Sequence, residues 1–224
     1  VLRTGKFDGV VFSALGVREG YLLAQLGEGE RSMDPLLQGA EEISILRSRS
    51  PAHAADLIDF TGEFMATVQI RETAEEERLR KVACYLSDIG WRGHPDYRGE
   101  QSVDLVAYGS LAGVDHPGRA FLAETLAVRY MGLKHKSMSQ SLMALAGPAA
   151  NMKARLLGAA FRVAYPMSAA MPGVLQRAHF SLEAGRLKLH LPQDLAFLAG
   201  EHLEGRLDQL AGVAGIKSSE IVES

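Results

Sequence analysis

Residues 83–129 read ACYLSDIGWRGHPDYRGEQSVDLVAYGSLAGVDHPGRAFLAETLAVR, and this run decides how the chain is understood. Asp88, Arg92, His94, Asp96, Arg98, Glu100, Asp115, His116, Arg119 and Arg129 all fall inside it, separated by Gly90, Gly93, Gly99, Gly113 and Gly118. The apolar stretch Val82–Leu86 leads into Ser87-Asp88 and then into the only tryptophan, Trp91. Gly93 and Pro95 are expected to end that helix, because proline lacks an N–H donor and drives its predecessor out of the α region. The charged residues are thereby placed where an apolar helix gives way to a loop.

Working outward, the flanking sequence is predominantly helical. Asp34-Pro35 predicts a helix start, with a cap and a proline at the first helical position, running to about Leu46. Ser50-Pro51 repeats the device. After it Ala54, Leu57, Ile58, Phe64, Met65 and Val68 recur at spacings of three and four, which predicts an amphipathic helix. Thr73 and Glu76 have the capping-box spacing, and Glu75–Glu77 fill a first turn where the helix dipole favours acids. Further helices are predicted over about Arg98–Ser110, from Asp115-His116-Pro117 to near Gly132, and over Gly147–Ala170, the last with a kink at Pro166. The small residues of that last helix permit close packing.

The period then changes. In His179–Leu191 the apolar Phe180, Leu182, Leu187, Leu189 and Leu191 alternate with polar residues about Ala184-Gly185, which predicts a β-hairpin. Pro192-Gln193-Asp194 predicts the start of a terminal helix carrying Leu195, Leu198, Leu203, Leu207 and Leu210. The polar tail after Gly215 is expected to fray. Near the other end, Asp8–Ala14 reads as a strand and Gly27–Met33 as a linker. A single strand needs a sheet, and none is legible nearby. The expectation is that the chain is a piece of something longer, since it starts at Val1 without an initiator Met.

Composition bounds the function. The 224 residues carry a net charge of −3 and 47% hydrophobic residues, an ordinary soluble balance. One cysteine, Cys84, excludes an intrachain disulfide and fits a reducing, cytoplasmic setting. No apolar run approaches the roughly 20 residues of a membrane span. Charge is uneven: Arg92–Lys188 holds twelve Lys and Arg against six Asp and Glu. A basic middle in an acidic protein points to an anionic partner.

The pieces ACYLSDIGWRGHPDYRGEQS, GVDHPGRAFLA and Arg129-Tyr130 resemble the C-terminal, HD-like helical domain of the exopolyphosphatase / guanosine-pentaphosphate phosphohydrolase family. FSALGVREGYLLAQL at Phe12–Leu26 resembles the closing strand and helix of that family's actin-like (ribonuclease-H-like) catalytic domain. The resemblance implies a mainly α fold. Residues 1–33 would be a remnant of the actin-like domain, 34–175 an HD-like helical domain, and 176–224 a β-hairpin and helix packed on it. It also implies that hydrolysis of the terminal phosphoanhydride, with its phosphate loops and Mg²⁺, belongs to a domain absent here. No catalytic residue, metal ligand or cofactor is then expected within this chain.

The residues themselves leave alternatives. HD phosphohydrolases hold metal ions with a His-Asp pair, and here that position reads Ser87-Asp88. Serine is a poor ligand for metals that favour imidazole. What remains is cationic: Arg92, His94, Arg98, His116 and Arg119 flank the same loops and are expected to line one anion-binding groove. In the competing structural reading, Arg92 and Arg98 pair with Asp88, Asp96 or Glu100. The leading expectation is a cytoplasmic, homodimeric domain binding inorganic polyphosphate or guanosine pentaphosphate, with no membrane and no sequence-specific nucleic-acid partner. An independent HD-type metal-dependent phosphohydrolase and a noncatalytic helical interaction module are the alternatives.

Overall fold

A computed structural model describes residues 2–10, 15–136 and 140–223. The chain divides into two compact units, Val1–Asp34 and Pro35–Ser224. In the first, α1 (Leu2–Gly5), α2 (Val17–Gln25) and α3 (Glu28–Arg31) are short. Gly16 N–H donates to Glu19 and Gly27 N–H to Glu30, so each of the last two helices closes its own first turn. α2 buries none of its residues. The strand expected over Asp8–Ala14 falls mainly at 11–14, outside the described residues, and Asp8–Val10 are not in a strand.

The second unit is helical with a small sheet. α4 (Pro35–Arg47), α5 (His53–Thr67), α6 (Ala74–Leu86), α7 (Arg98–Tyr108) and α8 (His116–Met131) follow one another. Local chemistry sets several of these limits. Thr73 Oγ1 accepts from Glu76 N–H and Glu76 returns the bond to Thr73 N–H, which completes the capping box of α6. Asp115 Oδ1 accepts from Gly118 N–H at 2.8 Å to start α8. Gly132, at φ 88°, ends it in a conformation that glycine adopts without a Cβ clash.

α8 is the central helix: every residue from Ala120 to Val128 is buried. α9 (Gln140–Ser168) packs along it so closely that a Cβ on Gly158 would lie 2.6 Å from Val128 Cβ. This bears out the close packing expected of the small residues. The helix is interrupted at Gly147 (φ 75°), with Pro148 opening the next segment. The main break therefore lies at a glycine, rather than at Pro166, because positive φ cannot continue a right-handed helix.

The predicted hairpin forms β1 (His179–Glu183) and β2 (Arg186–Leu191), joined antiparallel across Ala184 and Gly185, both at positive φ. Phe180 meets Phe60 and Phe64 at ring-centroid distances of 4.8 and 5.1 Å, which fastens the sheet to α5. Leu187, Leu189 and Leu191 are fully buried. A short 3-10 stretch, Gln193–Leu198, precedes α10 (Glu201–Val213), which buries Leu203, Leu207 and Leu210. The tail is not frayed: Ser218–Glu223 forms β3, parallel to β2 with Leu189 opposite Ile221. Its polar residues hid it in the sequence, since a strand held mainly by backbone bonds to a distant neighbour leaves little hydrophobic pattern.

Candidate anion-binding site

α6 ends at Leu86, earlier than Gly93 and Pro95 suggested. Ser87 turns its hydroxyl back to the Cys84 carbonyl at 2.7 Å and meets Tyr165 Oη at 2.7 Å. Asp88 is then drawn inward. Arg49 holds it through Nε–Oδ2 (2.9 Å), Nη2–Oδ1 (2.7 Å) and its backbone N–H (3.1 Å). The Asp88 side chain is 6% exposed and that of Arg49 37%. His53, the first residue of α5, lies beside them with Nε2 at 2.9 Å from Ser168 Oγ. Burial pushes the His53 imidazole down to about 4. Burial also raises the Tyr165 phenol. The gap among Ser48, His53, Ser87, Asp88 and Tyr165 has no room for a water molecule. Both carboxylate oxygens of Asp88 are thus engaged by guanidinium. Among the described residues, no group of three His, Cys, Asp or Glu could hold a metal ion.

Around this lock the unpaired charge is positive. Arg129, from the last turn of α8, places its guanidinium carbon 3.6 Å over the Tyr165 ring and 4.9 Å from that of Tyr130. Arg98 lies 6.0 Å from the Tyr130 ring and Arg49 5.8 Å from that of Tyr165. Tyr130 is anchored by accepting from Gly90 N–H at 3.1 Å. Arg206 of α10 is near enough that the Arg129 charge, added to the larger effect of burial, lowers its pKa. Arg98, Arg129 and Arg206 are half-buried, and none forms an ion pair among the described residues. The Arg129 Nε is buried without a hydrogen-bond partner. Asp88, the nearby carboxylate, is already paired with Arg49. These cations are therefore partly removed from water without an ion-pair partner of their own, which is costly, and an arriving anion offsets that cost.

The five residues expected to form one groove are divided. Arg98, first in α7, joins the aromatic pair. Arg92 is exposed, 5.4 Å over Trp91, and lines a separate cleft. His94 is exposed in the same loop, with Nδ1 3.7 Å from Asp96. Arg119 lies at the other end of α7. Its guanidinium donates to the carbonyls of Val106 (3.2 Å), Gly109 (2.7 Å) and Leu111 (2.7 Å). It therefore satisfies acceptors that a helix terminus leaves open. His116, exposed at the start of α8, is near that same end. The 11 residues of α7 set its two ends about 15 Å apart, from the rise of an α-helix. The ion pairs proposed for Arg92 and Arg98 do not form: Asp88 is taken by Arg49. Sequence reading passed over Arg49, Arg206 and Tyr165, which carry no local motif. Arg129-Tyr130 was legible only as part of a resemblance.

The family described as "Exopolyphosphatase, C-terminal" matches residues 36–221. The chain belongs to the exopolyphosphatase C-terminal family. No curated protein matches it. In this exopolyphosphatase C-terminal domain, the arginine cluster offers charge neutralisation and hydrogen-bond donation. Guanidinium forks suit phosphate oxygens, and the rings beneath them fix their planes. Among the described residues, no helix is long and apolar enough to cross a membrane.

Proposed function

We propose that this domain holds the chain of inorganic polyphosphate, or the phosphates of guanosine pentaphosphate, for a partner actin-like domain that performs the Mg²⁺-dependent hydrolysis. It does so as a homodimer in the cytoplasm, without itself supplying a catalytic residue. Membership of the exopolyphosphatase C-terminal family supports the substrate class. The single observation that carries the reading is the pair of half-buried arginines on Tyr130 and Tyr165, Arg98 and Arg129, with Arg206 within reach of the Arg129 charge. None of them is ion-paired among the described residues, while the neighbouring carboxylate, Asp88, is held by Arg49. A polyphosphate needs a run of donors and no base recognition, and such a cluster provides it.

The experiment is direct binding of polyphosphate to the purified chain, with Arg129→Gln and Arg206→Gln compared to wild type. Each substitution is expected to weaken binding by tenfold or more. Arg206→Gln should leave the melting temperature unchanged, and Arg129→Gln should lower it only slightly, through the lost stacking on Tyr165. Binding should also weaken with added salt. Unchanged affinity in the double variant would remove this cluster from the proposal.

A further inference from the structure

A second site lies between the C-terminal end of α4, the turn at Ile89–Gly93 and one side of α7. It is an open cleft of about 420 Å³, within the size range of small-molecule sites. Its apolar surfaces come from Leu46, Ile89 and Leu105, and its charged groups are Arg47 and Arg92. Gln101 adds one amide, and no carboxylate lines it. Neither arginine nor the Gln101 amide has a hydrogen bond or ion pair among the described residues; Arg92 rests only on the Trp91 ring. Leu46 is 72% exposed at the rim, a large aliphatic side chain left in water. The turn stays bare because its glycines are required: a Cβ on Gly93 would come 2.8 Å from Gln101 Oε1 and 3.0 Å from Arg98 Cβ.

Arg98, Arg129 and Arg206 do not line this cleft, so it is distinct from the cluster on Tyr130 and Tyr165. A bare phosphate chain gains nothing from aliphatic walls. Two free guanidinium groups beside such walls instead match a ligand with an oxyanion at one end and an apolar body at the other. We propose that the cleft binds a small organic anion: a flat ring system bearing one phosphate or carboxylate. Arg47 and Arg92 take the oxyanion, Leu46, Ile89 and Leu105 cover the ring, and Gln101 meets a polar ring edge.

Trp91 is the only tryptophan in the chain, and Arg92 rests on it, so drawing Arg92 onto a ligand alters its emission. Titrate the full chain by calorimetry with adenosine 5′-monophosphate, 2-naphthoate, adenosine and orthophosphate, and follow Trp91 emission in the nucleotide arm. The expected result is binding of the nucleotide or the naphthoate, with adenosine and orthophosphate each at least tenfold weaker. The two organic arms separate a phosphate ligand from a carboxylate one. The double substitution Arg47→Gln/Arg92→Gln should weaken the bound anion at least tenfold while leaving the melting temperature unchanged. Polyphosphate affinity should stay within twofold, which distinguishes failure here from failure at the arginine cluster. Binding of neither organic anion, equal binding of orthophosphate, or binding that survives the double substitution would overturn the proposal.

Discussion

Arg49 and Asp88, on either side of two intervening helices, are joined by a two-pronged ion pair with Nη2–Oδ1 at 2.7 Å and Nε–Oδ2 at 2.9 Å. Hydrogen bonding to Asp88 raises the Arg49 pKa despite its partial burial. Removing the guanidinium leaves an almost fully buried carboxylate. Arg49→Ala is therefore expected to cost about 2–3 kcal/mol, less than a fully buried pair because Arg49 keeps contact with water. Urea denaturation of Arg49→Ala, Asp88→Ala and the double variant checks this. The double variant should be less destabilised than the sum of the singles. Additive costs would mean the pair is not coupled.

His53 makes stability depend on pH. Its imidazole titrates near 6.5 in the unfolded chain and at about 4 when folded, because burial disfavours the charged form. The unfolded state therefore binds more protons between these values. The contribution of neutral His53 is fully present above pH 6.5 and is lost as pH falls toward 4, at about 1.4 kcal/mol per pH unit inside the window. Asp56 and Asp88 act to raise the imidazole pKa, and Arg49 and Arg129 to lower it. Denaturation midpoints of wild type and His53→Gln at pH 7, 5.5 and 4.5 should converge as pH falls. Parallel midpoints would show that His53 does not titrate in this way.

Arg119 should behave as a helix cap and not as a ligand group. Arg119→Ala releases the carbonyls of Val106, Gly109 and Leu111 and is expected to destabilise the domain by about 1.5–3 kcal/mol. Polyphosphate affinity, measured under conditions where the variant stays folded, should not change. A tenfold loss of affinity with unaltered stability would return Arg119 to the binding set.

Gly158 is the close-approach point of α8 and α9. A methyl group there would meet Val128 Cβ at 2.6 Å and the Thr125 carbonyl at 2.7 Å. Although alanine is the better helix former, Gly158→Ala is expected to destabilise by about 1–3 kcal/mol through overpacking. A thermal melt that rises in the variant would mean that the two helices are free to separate.

Much of this architecture was legible in the sequence because it depends on partners three or four residues apart. Thr73 and Glu76 cap α6, Asp115 caps α8, and Ala184-Gly185 reverses the hairpin through bonds and dihedrals that a short segment specifies alone. The same holds for the apolar spacing of α5, which faces the core through Leu57, Phe60 and Phe64. Ser218–Glu223 escaped because its strand is completed by β2, some thirty residues earlier. The site escaped for a related reason. Arg49, Arg98, Arg129, Tyr165 and Arg206 come from four helices and one connecting loop. Only the packing of those elements brings Arg49, Arg98 and Arg129 onto two tyrosine rings and Arg206 within reach of the Arg129 charge. Arg119 carries the same charge as Arg129 and lies ten residues before it, yet it faces the open carbonyls of α7. Sequence alone determined that the middle of the chain would be mainly helical and that Arg92–Lys188 would carry an excess of positive charge. The tertiary structure decided which cations are used by the fold and which remain free, because a guanidinium takes whatever acceptor the packing puts within its reach.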